Sequence, residues 1–313
     1  MNTISRWIIA ALFCAVAGNG VAHAQEGELN KLMNGSLAAY NANDFRKGLD
    51  LAKKALVIAE KDLGAGNPVA GNIQSIMGAC YLGLKDYHAA EGSFTQAIAI
   101  AEKHADSNTA ELAQALNGLA EAHMEQKHYT EAEGLYKRLI ELHEKEKGFE
   151  LAYTLTNLGN LYMSTNRLAD AEPILRRAMT LLDEKDSTQR RLLAATVNSL
   201  AYAAYQRGRK DTAEALFGRA LDISRTFMKA DDPSLATTLN NLAGLYADRG
   251  AYDKAAPAME ETLRIMEKTL GSDNADVRRV RSNLAAIYDH LGRSADADAM
   301  RKRNGTGTGG RSK

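Results

Sequence analysis

The chain has 313 residues, with 39 basic side chains balanced by 39 acidic ones and 45% hydrophobic residues. A neutral chain of this size gives no electrostatic footprint for nucleic acid, and its composition is that of a folded protein rather than a disordered one. Four prolines and one tryptophan occur, β-branched runs are scarce and alanine and leucine are abundant, which favours helix.

The first segment stands apart. Arg6 supplies a positive start, Trp7 to Ala17 is a short apolar run, and Ala22-His23-Ala24 is a small-x-small cleavage sequence. This pattern predicts a secretory signal peptide over 1–24, cut after Ala24, and a periplasmic or secreted mature chain. The apolar run falls short of the roughly 20 residues a membrane anchor needs. A lipoprotein would acylate Cys14, but the bulky Phe13 precedes it where such signals carry a small residue. Cleavage leaves Cys80 as the one cysteine, so no intramolecular disulfide can form. Its place among apolar helical residues predicts a buried thiol.

From Leu29 to Arg303 the chain repeats itself. One small-residue column reads Gly48, Ala90, Ala132, Ala171, Ala213, Ala255 and Ala297, in steps of 42, 42, 39, 42, 42 and 42. In the same phase run Met77, Leu119, Leu158, Leu200, Leu242 and Leu284, then Gly78, Ala120, Gly159, Ala201, Ala243 and Ala285, and then Tyr81, His123, Tyr162, Ala204, Tyr246 and Tyr288. A fixed period of this kind is the mark of a repeat architecture.

Each unit predicts two helices. In the fifth full copy Leu239, Leu242, Ala243 and Tyr246 share one helix face, Gly250 breaks the helix, and Asp253 is placed to accept from the free amides of the next start. Ala255, Met259, Thr262, Leu263 and Met266 carry the second stripe. Small residues at the columns let the helices approach closely.

The order L-[AG]-x2-Y-x3-G-x-Y-x2-A resembles the tetratricopeptide repeat, and the 42-residue step is similar to the kinesin-light-chain version, best seen from Leu235 to Gly271. About six and a half copies cover nearly all of the mature chain. The resemblance implies an all-α, right-handed superhelical solenoid of antiparallel helix pairs over 25–303. The first copy has an irregular first helix, suited to an N-terminal cap. The three-residue deletion in His143 to Glu150 predicts a local change of geometry. The last copy is cut short after Met300, and the Gly/Ser/Thr-rich 304–313 predicts a disordered tail. Two glycosylation sequons, at Asn34 and Asn304, are read as chance.

In this repeat family the concave groove is lined by first-helix positions that packing leaves free. They carry Ser75, Asn117, Thr156, Asn198, Asn240 and Ser282 two before the leucine column, and Ile76, Gly118, Asn157, Ser199, Asn241 and Asn283 one before it. Asn160, Tyr202, Tyr153, Tyr205, Gln114 and Arg279 complete the lining. Asparagine is a poor helix former, so its recurrence asks for a reason. An amide offers donor and acceptor together, which suits an extended peptide backbone, and in similar repeats asparagines hold peptides in that way. The alternative is that these asparagines bond neighbouring helices. Arg279, with Arg278 beside it, is the sole basic contribution, so capture of an acidic C-terminal tail is not supported, and a neutral or mixed protein or peptide segment is the expected partner.

No enzymatic constellation stands out, and no cofactor or metal is implied. The mature histidines are His88, His104, His123, His128, His143 and His290, none in HExxH or beside a CxxC pair. His123 and His128 are five apart, which puts them on different helix faces. The leading expectation is a non-catalytic binding scaffold. The competing one is a self-associating structural component of the cell envelope, in which the short last helix leaves an apolar face uncovered.

Overall fold

The computed structural model describes residues 23–104, 109–145 and 147–305, the side chains of 23–26 excepted. The predicted signal peptide lies outside the described residues up to position 22. Among the described residues all regular structure is helical, in fourteen helices. The first helices of the pairs are α1 (His23–Asn41), α3 (Pro68–Gly83), α5 (Thr109–Glu125), α7 (Phe149–Ser164), α9 (Arg190–Gln206), α11 (Pro233–Ala247) and α13 (Ala275–His290). The second helices are α2 (Phe45–Leu63), α4 (Tyr87–Lys103), α6 (Tyr129–His143), α8 (Leu168–Thr180), α10 (Lys210–Arg225), α12 (Tyr252–Leu270) and α14 (Ser294–Gly305).

The turn inside each pair is built the same way seven times. Asn43, Lys85, Lys127, Asn166, Gly208, Gly250 and Gly292 all have positive φ, between 58° and 76°. The next amide but none reaches five residues back: Asp86 N–H donates to Tyr81 O at 2.9 Å, His128 to His123 at 2.8 Å and Arg293 to Tyr288 at 2.9 Å. This left-handed ending satisfies a carbonyl that the helix leaves free. Lysine pays a steric cost at that φ which glycine does not. Lys85→Gly is therefore expected to raise the unfolding free energy by roughly 0.5–1 kcal/mol, read as a higher urea midpoint at unchanged slope.

Helix starts follow local chemistry. Asp44 and Asp86 side chains accept from Lys47 N and Ala89 N at 3.2 Å. Asn67 and Asp232 accept from Val69 N and Ser234 N at 2.9 Å, each followed by a proline in the first turn. Asp253 does not cap: α12 begins one residue before it, Ala251 occupies the cap, and Asp253 sits in the first turn, where it only favours the positive helix end.

The chain divides into two compact units, the division falling inside α7 between Leu161 and Tyr162. In the first, α1, α3 and α5 lie side by side with α2 and α4 against them; in the second, α9 lies beside α11. The small column is buried throughout: Ala90, Ala132, Ala171, Ala213, Ala255 and Ala297 are all 0% exposed. Large residues face it four positions on, where Phe94, Tyr136, Leu175, Phe217 and Met259 are buried too. Phe94 lies against the glycines of two first helices, Gly78 on α3 and Gly118 on α5. Gly118 is thus a packing residue and not groove lining, and buried Ile76 shares that fate.

Two further expectations change. The first helix is continuous from His23 to Asn41 rather than irregular, and buries Leu29, Met33 and Tyr40. The last helix runs through Gly305, two residues into the expected tail, and its end is polar: Asn304 Nδ2 donates to Arg278 O at 3.0 Å and to Ser282 Oγ at 3.1 Å. Positions 306–313 lie outside the described residues. Cys80 is fully buried, and burial pushes its thiol up to about 12, as an inert core cysteine requires.

Candidate functional site

In the first unit the first-helix residues gather at one place. Between α5, α6 and α7 opens a cavity of about 250 Å³. Gln114 and Asn117 line it from α5, Leu139 and Leu142 from α6, and Tyr153 and Thr154 from α7. This is where the chain drops three residues from its period: α6 ends at His143, and His143 and Glu150 form part of the wall. The deletion was visible in the sequence; that a chamber would lie beside it was not, because a shortened connection can equally be absorbed by closer packing.

Two of the predicted groove residues are here, but deeper than expected. Asn117 is 9% exposed and Tyr153 is 5% exposed. The position two before the leucine column turns toward the second helix of its own pair, not fully outward. Thr156, at the same station, is buried, and its hydroxyl donates to Ala152 O at 2.8 Å. Asn157 and Asn160 follow Tyr153 along one face of α7 and are half-buried.

One feature separates two asparagines from ordinary core amides. The carboxamide oxygens of Asn117 and, in the second unit, Asn198 are buried and have no hydrogen-bond partner in the protein. Buried polar groups are nearly always paired, and an unpaired one costs about 1–3 kcal/mol. Both atoms are closed off by their neighbours, so a donor from outside the chain would reach them only after the side chain turns.

In the second unit α9 carries Asn198, Tyr202 and Tyr205 at helical spacing. Tyr202 is 37% exposed, with its ring centre 6.4 Å from that of Tyr205. Tyr205 is committed elsewhere: its hydroxyl donates to Asp248. Burial, then this bond and the aspartate charge, push the phenol up to about 12. It ties α9 to the end of α11 and is not free lining. Asn240 and Asn241 are half-buried on α11, while Arg279 and Asn283 are exposed on α13. Arg279 donates to Asp276 Oδ1 at 3.0 Å, so part of its charge is answered within its own helix.

Helix pairs with a left-handed turn, small residues where pairs nest and first helices side by side define a tetratricopeptide-repeat protein. The chain belongs to the family of MalT-like TPR regions, which matches residues 35–304. Among solved structures it is similar to a kinesin-light-chain-type protein of Podosopora anserina with nearly identical TPR-like repeats, at 18% identity and TM-score 0.51, covering 62% of this chain and 93% of that one. It is similar to the apo form of the quorum sensor NprR from B. thuringiensis at 16% identity and TM-score 0.65, over 90% of this chain and 76% of that one. It is also similar to aspartyl phosphate phosphatase F from Bacillus subtilis at 18% identity and TM-score 0.66, over 91% and 71%. At these identities the likeness is one of fold. No curated protein matches the sequence.

Proposed function

We propose that the mature chain is a non-catalytic binding scaffold of the periplasm or cell exterior, which captures a peptide or an extended segment of a partner protein on its first-helix faces. The observation that carries this reading is the row of first-helix carboxamides that keep exposure, Asn157, Asn160, Asn240, Asn241 and Asn283. Each offers an acceptor for a backbone N–H, the one donor every non-proline residue of a ligand possesses. The cavity beside Asn117, about 250 Å³, is below the usual range for a drug-sized ligand. The n-region, apolar run and cleavage sequence are what support the compartment. No helix among the described residues is long and apolar enough to cross a membrane.

The test uses accessible positions, so that folding and binding separate. Asn157, Asn241 and Asn283 are half-buried or exposed, and surface changes of this kind shift stability by about 0.5 kcal/mol or less. The triple change Asn157→Ala, Asn241→Ala and Asn283→Ala is expected to keep the helical circular dichroism and urea midpoint of the parent while losing partners recovered from envelope extract. Recovery of the same partners at the same yield would overturn the assignment of the binding face.

A further inference from the structure

A cluster away from the first-helix faces has the composition of a metal site. His123 lies in the last turn of α5, His128 precedes α6 and Glu91 lies in the first turns of α4. One ligand atom from each lies within 4.8 Å of the others. The rings of His123 and His128 are 5.8 Å apart at 44°. Spacing on a single helix would separate them, but α5 stops at Glu125. Lys127 then takes a φ of 62°, and the His128 amide folds back onto the His123 carbonyl at 2.8 Å. The left-handed turn shared by all the repeats brings the two imidazoles to one side.

The same station in other repeats holds a permanent cation. Where this repeat has His123 and His128, others have Tyr162 with Arg167 and Tyr288 with Arg293, each guanidinium 4.1 Å from the ring centre. The counterpart of Glu91 is Glu172 in another repeat, held by Arg209 at 2.5 Å and by Arg207 at 2.7 Å. Here His128 stands where those repeats place an arginine and His123 where they place a tyrosine, and the carboxylate remains. Nδ1 of His123 lies 3.3 Å from Glu91 Oε1, yet off the line a hydrogen bond needs, so this buried nitrogen has no hydrogen-bond partner. Glu91 is oriented by Gln126, whose Nε2 donates to Oε1 at 2.5 Å and to Ala122 O at 3.2 Å.

We propose that Glu91, His123 and His128 bind a borderline divalent transition cation of the zinc class. Two imidazole nitrogens and one carboxylate are a regular donor set for such ions and leave a fourth position open to water or to a partner's side chain. Donor atoms around tetrahedral zinc stand about 3.4 Å apart. His128 is exposed, so rotation of its ring closes the remaining gap. Gln126 acts as the outer partner that fixes the carboxylate.

The variants that test this are borrowed from the chain's own repeats, so they suit the fold. His123→Tyr restores the residue found at 81, 162, 246 and 288, and His128→Arg restores that at 167, 209 and 293. The untagged full chain is titrated with Zn²⁺ alone by calorimetry at pH 7.5, and with Co²⁺ alone by visible absorption. One saturable equivalent is expected, weakened at least ten-fold by either substitution and abolished by both. His290→Ala, which removes a histidine stacked on Tyr252, leaves it unchanged. If the parent binds Zn²⁺ no more tightly than the double variant, the site does not exist.

Discussion

Phe94→Ala is expected to lower the unfolding free energy by about 3–5 kcal/mol, the range for truncating a buried aromatic ring. Phe94 is 2% exposed and serves two contacts at once. A methyl group built at Gly78 would lie 2.8 Å from its ring, and one at Gly118 would lie 2.3 Å from it. Gly118→Ala should therefore cost roughly 1–3 kcal/mol by overpacking. Once the ring is gone that penalty should largely vanish, so the double variant should be much less unstable than the sum of the single ones. Urea unfolding followed by circular dichroism reads the energies. Hydrogen exchange then locates the loss to α3–α5, because repeat stacks unfold in parts. Additive effects would show that ring and glycines are not in the contact described.

Glu267→Ala should be nearly as damaging, for an electrostatic reason. Glu267 Oε1 accepts from Arg281 Nε at 2.9 Å, from Arg281 Nη2 at 2.7 Å and from Arg303 Nη2 at 2.6 Å. Arg281 is 2% exposed, so removing the carboxylate strands a buried cation. Breaking a buried pair costs about 3–5 kcal/mol. The carboxylate side chain is 23% exposed, which places the expectation near the lower end, at about 3 kcal/mol. Burial by itself would raise the Glu267 carboxyl, but the bonds and charges of Arg281 and Arg303 outweigh it and hold it below the usual glutamate value. A carboxyl lowered in the folded state stabilises fully above its unfolded value, about 4.3, and loses that contribution as pH falls through the folded value. The stability gap between parent and variant should stay constant from neutrality to about pH 5 and shrink below pH 4. A gap unchanged down to pH 3 would contradict the pairing.

The period, the helix pairs and the buried small column were legible because they are recorded in residue size at fixed intervals. Ala132, Ala213 and Ala255 stand where the pattern puts them, at 0% exposure. The left-handed turns were visible at Gly250, where the residue type announces the conformation, but not at Lys85 or Lys127, where the fold imposes it. The groove was legible only in outline. Asn157, Asn160, Tyr202, Asn240, Asn241, Arg279 and Asn283 keep some exposure, whereas Asn117 and Tyr153 sink into a cavity beside the shortened connection. Tyr205 is claimed by Asp248 and Gly118 by Phe94, and both partners lie on other elements of the chain. Distances within one helix can be counted from spacing. Bonds between helices depend on which residue happens to face across, and His123 with His128 was misjudged by that same limit.

The glycine–phenylalanine contact has a bearing on how such a chain can grow. Its members straddle the border between neighbouring copies, so a copied stretch that ended between Phe94 and Gly118 would land its ring against the isoleucine, serine or asparagine that other copies carry at the Gly118 station. Viable duplications must carry both halves of that lock or neither. This would let a 42-residue step persist by descent while the copies themselves stop being exchangeable parts.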